Sequence, residues 1–307
     1  NDLAALTSAQ IVALNTDQIV ALTSDQLAAL TTAQVAAMAT DDVAAIQTLD
    51  LQAMTTAQFA AFSSRQVAAM TTLQIAKLET ADLAALTTAA VQGLTTDQIV
   101  ALTTDSNSAL TTAQVAALKT AQIAAIQTTD LQNMTTAQVA ALTSAQLAAM
   151  TTMQIRNMET ADVAALSSTA LQGMNTDQVQ ALSTDQIQGM TTAQFAALRT
   201  AQVAAMTTLQ IANLETADLA KLTTAQIVAL NSDQLVALTT DQIPSLTTAQ
   251  VAAIQSADLA GMQTTDLRAL TTNQVAAFSS GQLSGMTTNQ IANLETDDVA
   301  ALTTAAL

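Results

Sequence analysis

Four pairs of aspartates are the first residues in this chain whose type and spacing could do chemistry. Asp17 and Asp25, Asp97 and Asp105, Asp177 and Asp185, and Asp233 and Asp241 each stand eight residues apart. Two carboxylates on adjacent turns offer the hard oxygen ligands that Ca²⁺ accepts. No EF-hand-type loop accompanies them, and an acid in the first turn of a helix is stabilised by the helix dipole with no metal at all. The pairs are therefore read as first-turn acids, and no metal site is assigned. The remaining reactive inventory is short: the 307 residues include no His and no Cys. That removes disulfides, thiolate zinc and haem ligation, and the conventional nucleophile and base pair. No catalytic residue and no cofactor are expected, and the chain is not expected to be an enzyme.

The elements that position these acids follow from one phrase, Thr-Thr-Ala-Gln-Val-Ala-Ala-Leu and its variants, which runs without a gap from Thr7 to Leu302 as 37 octads. So short and strict a period means that each unit is a small element unable to bury its own apolar face, so units must stack. With Thr7 at the first position, the second is Thr or Ser in all 37 copies, and the fourth is Gln in 25 and Asp in nine. The fifth is Val, Ile, Leu or Phe in every copy but one, and the eighth is always Leu, Met, Ile or Phe.

A continuous α-helix fails on geometry, because eight residues advance about 800° and the apolar stripe would drift by roughly 80° per repeat. The helix must therefore break each time. A first-position hydroxyl with Gln three residues later has the spacing of a capping box, as in Thr31 and Gln34 or Thr135 and Gln138. Where the first position is a poor cap, as at Glu79, Lys119 and Arg199, the second-position hydroxyl, such as Thr80 or Thr120, is expected to take over. Pro244, at a sixth position, costs less in so short a helix than in a long one. The rival is a β-solenoid, but two-residue alternation is missing, Ala is abundant, and only six Gly are available for corners. The expected fold is all-α: a solenoid or superhelix of short capped helices, one per octapeptide, running as a single array through residues 1–307.

A longer beat of five octads, or 40 residues, lies inside the short one. Residues 7–46, 87–126, 167–206 and 223–262 carry Asp at the third position of their second and third octads. Residues 47–86, 127–166 and 263–302 open with Gln-Thr-x-Asp and end on an octad beginning Glu-Thr-Ala-Asp or Glu-Thr-Asp-Asp. Between 207 and 222 three octads are missing with phase retained, which marks the octad as the structural quantum. Glu79, Lys119, Glu159, Arg199 and Glu215 alternate in sign at equivalent places, as a charge ladder across neighbouring coils would. Nearly every octad with Asp at the fourth position has Gln or Glu at the first, and no octad with Gln at the fourth does, which reads as alternative caps. Asn107 alone breaks the fifth-position rule: a binding notch in one reading, a tolerated defect in the other. The eighth-position Met residues, such as Met38 and Met150, read as core.

Composition narrows the partners. Net charge is −17, from 24 acids against seven Lys and Arg, with no cationic stretch, so nucleic acid is not expected. Aromatic residues make up 1% of the chain, too few for an ordinary large core. Mean hydropathy is positive, yet the longest apolar run is the five residues Val35 to Ala39, whereas a spanning helix needs roughly 20. No membrane insertion is expected.

The phrase Leu-Thr-Thr-Ala-Gln-Val-Ala-Ala-Leu resembles the tandem short repeats of very large bacterial secreted or surface proteins, often labelled adhesin-like or haem-utilisation-like. The resemblance covers the whole chain and implies an extracellular or cell-surface stalk, adhesin or fibre. With no His, the haem label finds no residues to support it. Leu-Thr-x-x-Gln-Val also looks like the opening of the repeats in transcription-activator-like DNA-binding effectors, but those repeats are several times longer and meet an anionic partner. The array begins at the third octad position with Asn1 and stops at the fifth with Leu307, so the expectation is a segment of a longer array or end-to-end or lateral self-association into a filament. A rod on the order of 100 Å follows if coils are spaced like packed helices. The alternative is a solenoid groove that binds a peptide, glycan or cation.

Overall fold

The computed structural model describes residues 3–304 and 306; Asn1 and Leu307, the ends of the array discussed above, lie outside the described residues. Every octad from Thr7 to Leu302 forms one short helical element, 36 of them α-helical with four to six residues each. The remaining octad, which contains Pro244, forms a 3₁₀ turn at Ile243–Ser245. Proline has no amide hydrogen to give, so that octad tightens to three-residue bonding instead of breaking the array. No strand occurs among the described residues, and the β-solenoid rival is set aside.

Local sequence accounts for where each helix starts. The first octad residue is the N-cap, with extended backbone (Thr31 at φ −73°, ψ 157°), and its hydroxyl accepts from the fourth-position amide. In return the Gln34 side chain accepts from the Thr31 amide at 2.7 Å, closing the capping box read from the sequence. Thr135 and Gln138 close the same box. The expected substitution of caps does not occur. At Glu79 and Lys119 the first residue keeps the same extended backbone without a side-chain cap, and the helix still begins at Thr80 or Thr120. Backbone geometry at this position is set by the repeating bend, so the cap hydroxyl improves the start without defining it.

A helix of five residues has no stability of its own in water. Here stability comes from stacking: the fifth and eighth positions are buried throughout the array's interior, as for Val35 and Met38, Val67 and Met70, or Val203 and Met206. Each such side chain contributes on the order of 1.5–3 kcal/mol. Phe59 and Phe62 use the same two positions and meet edge to face, with ring centroids 5.6 Å apart. The sixth-position Ala is exposed, as at Ala36 and Ala116, or half-buried, as at Ala84 and Ala124, and the seventh is mostly half-buried.

The chain forms two compact units, Asn1–Met158 and Glu159–Leu307. Within each, a helix packs against the third helical element before it and the third after it, as Thr72–Ala76 does against Thr96–Ala101, or Thr200–Ala205 against Thr224–Val228. Each unit is an all-α solenoid built on this rule.

Candidate functional site

The feature repeated most often with defined chemistry is the seam between successive coils, and the fourth-position side chain builds it. Gln122 shows the arrangement. Its Oε1 accepts from the Lys119 amide at 2.6 Å, while its Nε2 donates to the carbonyls of Val91 at 2.8 Å and Leu94 at 2.7 Å. Those carbonyls lie 31 and 28 residues upstream, at the open C-terminal end of the helix four octads earlier. A helix end leaves such carbonyls without intrahelical partners. One primary amide thus satisfies a helix start on its own coil and a helix end on the previous one.

The same pattern holds in both units, with Gln66 on Val35 and Met38, and Gln202 on Leu171 and Met174. Burial of the glutamine follows from the seam and not from the box. Gln10, Gln18 and Gln26 close their boxes yet are exposed, whereas Gln34, which reaches Leu3 and Leu6, is buried. Packing on the third predecessor and bonding to the fourth means that one coil takes between three and four octads, roughly 28 residues.

Aspartate at the fourth position bonds differently. Its carboxylate accepts from a second-position hydroxyl 26 residues upstream: Thr16 to Asp42 at 3.0 Å, Ser24 to Asp50 at 2.6 Å, Thr104 to Asp130 at 2.8 Å. A carboxylate cannot donate to carbonyls, and in two octads with Gln at the first position that side chain supplies a coil-to-coil donor instead. Gln127 Nε2 reaches the Val100 carbonyl at 3.0 Å, and Gln255 reaches Val228 at 3.2 Å. In the octads of Gln127 and Gln255 the exchange between first and fourth positions therefore moves a coil-to-coil donor and does not exchange caps. Burial also pushes the Asp82 carboxyl up to about 6, helped by Glu79 three residues away. Asp218 and Asp266 are raised as well, chiefly by burial.

The other residues singled out by sequence fall outside the seam. The paired acids lie in first helical turns, as Asp97 in Thr96–Ala101 and Asp105 in Thr104–Ala109, both exposed, except Asp241, which lies in the turn ahead of Ile243–Ser245. Among the described residues no group of three or more His, Cys, Asp or Glu converges as a metal site. Positions 40 residues apart exceed one coil, so Glu79 and Lys119 do not stack on adjacent coils, and the charge ladder is set aside. Arg268 and Glu295, 27 residues apart, do meet, at 3.5 Å. Arg199 turns instead to the Met174 carbonyl at 2.9 Å. Asn107 is 1% exposed, so no notch opens there; its Oδ1 is buried without a hydrogen-bond partner.

Two surface features were not anticipated. Leu49, Leu73, Met153 and Leu209, all at third positions, are exposed, Leu49 by 74%. The third position is polar or Ala in most octads, so these side chains stand out in the sequence once its exposure is known. A shallow cleft of about 350 Å³ in the first unit gathers Arg65, Gln92, Gly93 and Lys119, residues separated by up to 54 positions in the chain. No helix among the described residues is long and apolar enough to cross a membrane.

A search of curated proteins finds no match. A family model, the ALTTAQ repeat, matches seven times in tandem, at residues 1–32, 43–78, 75–112, 123–160, 155–192, 211–248 and 251–288. These matches cover well over half of the chain, and the protein belongs to the ALTTAQ repeat family.

Proposed function

We propose that this repeat protein is a structural element, a rod or filament segment of a bacterial extracellular fibre or adhesin stalk. The observation that supports the reading is the seam: the fourth-position amide, present in 25 of the 37 octads, is spent on joining one coil to the next. A protein whose recurrent chemistry is consumed in holding its own coils together is suited to carry load and span distance. The apolar side chains at third positions, Leu49 and Leu73 among them, offer lateral contacts between copies. Electron microscopy of the purified chain over a range of concentrations tests this. Elongated particles or concentration-dependent filaments are expected, and compact monomeric globules at every concentration would overturn the reading.

The second reading is a binding module, favoured by the cleft that gathers Arg65 and Lys119 on an otherwise acidic protein. A stable monomer with a saturable ligand would favour it over the fibre.

A further inference from the structure

The octad opening Glu-Thr-Ala-Asp recurs at Glu79–Asp82, Glu159–Asp162 and Glu215–Asp218, and the seam described so far does not explain the first and last of these. In these octads acids occupy both positions that elsewhere form the capping box. The inner acid is buried: Asp82 is 4% exposed and Asp218 is 3% exposed. Asp218 accepts a hydrogen bond from the Thr192 side chain. Its Oδ2 is buried with no partner at all. A lone carboxylate oxygen in that situation is costly unless it is neutralised.

The surroundings supply no positive charge to do so. Asp218 faces Glu215 at its own helix start, and the elements around it carry Asp185, on Thr184–Gly189, and Asp241, in the octad of the 3₁₀ turn. The helix Thr192–Ala197 that packs on it has no charged residue, nor has Thr248–Ala253, whose Gln250 bonds to Leu219. For Asp82 the corresponding groups are Glu79, Asp50 on Thr48–Gln52 and Asp105 on Thr104–Ala109, while Thr56–Phe59 and Thr112–Ala117 carry none. Lys77 and Lys221, nearest in sequence, are exposed at seventh positions.

We propose that the octads of Glu79 and Glu215 are proton-operated seams: Asp82 and Asp218 each take up one proton from solvent on mild acidification, and the neutral carboxyl then donates toward the coil above it. The acceptors in register are the carbonyls that a glutamine would reach there, 31 and 28 residues upstream by the spacing of Gln122. For Asp218 these belong to Ile187 and Met190, and for Asp82 to Leu51 and Met54. The array therefore tightens as the medium becomes acidic. This depends on the fold alone and not on the fibre reading.

The raised carboxyl of Asp82 agrees in direction and sets the window. Because folding lifts it from 3.8 to about 6, its stabilisation is complete below about 3.8 and is lost as pH rises through about 6.

The test is urea unfolding of the full chain at pH 7.5 and pH 5, on wild type, Asp82→Asn/Asp218→Asn and an equal-charge control, Asp97→Asn/Asp233→Asn. Between pH 7.5 and pH 5 wild type should gain about tenfold in folding equilibrium from Asp82, with Asp218 adding a gain in the same direction. The seam variant should hold that gain already at pH 7.5 and lose the corresponding pH dependence, while the control keeps it. Equal flattening in both variants would assign the effect to net charge and overturn the proposal. Carboxyl ¹³C titration of wild type gives a readout that does not depend on any variant folding. Asp82 and Asp218 titrating in the ordinary carboxylate range would also overturn it.

Discussion

Gln122 Nε2 donates to the Val91 carbonyl at 2.8 Å across 31 residues of sequence, and that bond defines the coil. Replacing Gln122 with Leu strands the Lys119 amide and two carbonyls in a dry seam. Leaving such groups unsatisfied costs roughly 1–3 kcal/mol each before relaxation. A loss of about 2–4 kcal/mol in urea unfolding is expected, with helical circular dichroism retained. Gln122→Glu keeps the acceptor but loses the donor, so it should be worse at pH 7.5 and recover partly at pH 5.

Asn107 offers the opposite case. Its Oδ1 is buried without a partner, and its octad companions use Val, Ile, Leu or Phe at the same position. Asn107→Ile should stabilise by about 1–3 kcal/mol, read as an increase in thermal midpoint. A midpoint that falls would mean that the polar side chain has an unrecognised partner.

Two glycines at seventh positions should respond with opposite signs. A Cβ on Gly93 would lie 2.0 Å from the Ser64 carbonyl oxygen, a backbone atom that cannot step aside. On Gly261 the nearest atom is Ser232 Cβ at 3.7 Å, an ordinary contact. Gly93→Ala should therefore destabilise clearly, whereas Gly261→Ala, at the end of a helix, should be neutral or gain up to about 1 kcal/mol. Denaturant midpoints of the two variants decide it.

Removing Thr111–Leu118, one whole octad, should leave a folded chain with proportionate helical signal, because the octads beyond the join meet partners of the same type. Removing only Thr111–Gln114 puts hydroxyls where apolar side chains belong for every coil that spans the join. That variant should lose cooperative unfolding. If both deletions behave alike, the octad is not the unit of stacking.

Much of this was legible from the chain alone. The capping box of Thr31 and Gln34, the helix length and the buried fifth and eighth positions follow from local propensity, which a single octad carries in full. The number of octads per coil is not local. It depends on the angle at each bend, and identical bends leave no spacing signal. The 40-residue beat therefore suggested a stacking of Glu79 and Lys119 that a coil of three to four octads does not make. Likewise the covariation of Gln127 with Asp130 was visible, but its reason, a carbonyl at Val100, lies a full coil away.

The packing of each helix on its third neighbour and bonding to its fourth has a further consequence for how such a chain can change over generations. Adjacent octads are not each other's principal partners, so any gain or loss of one unit reassigns the contacts of several others at once. A specialised pair of octads that fitted only each other would be separated by the next such event. Interchangeable parts survive it, and the monotony of this sequence is what a lattice with shifting neighbours demands.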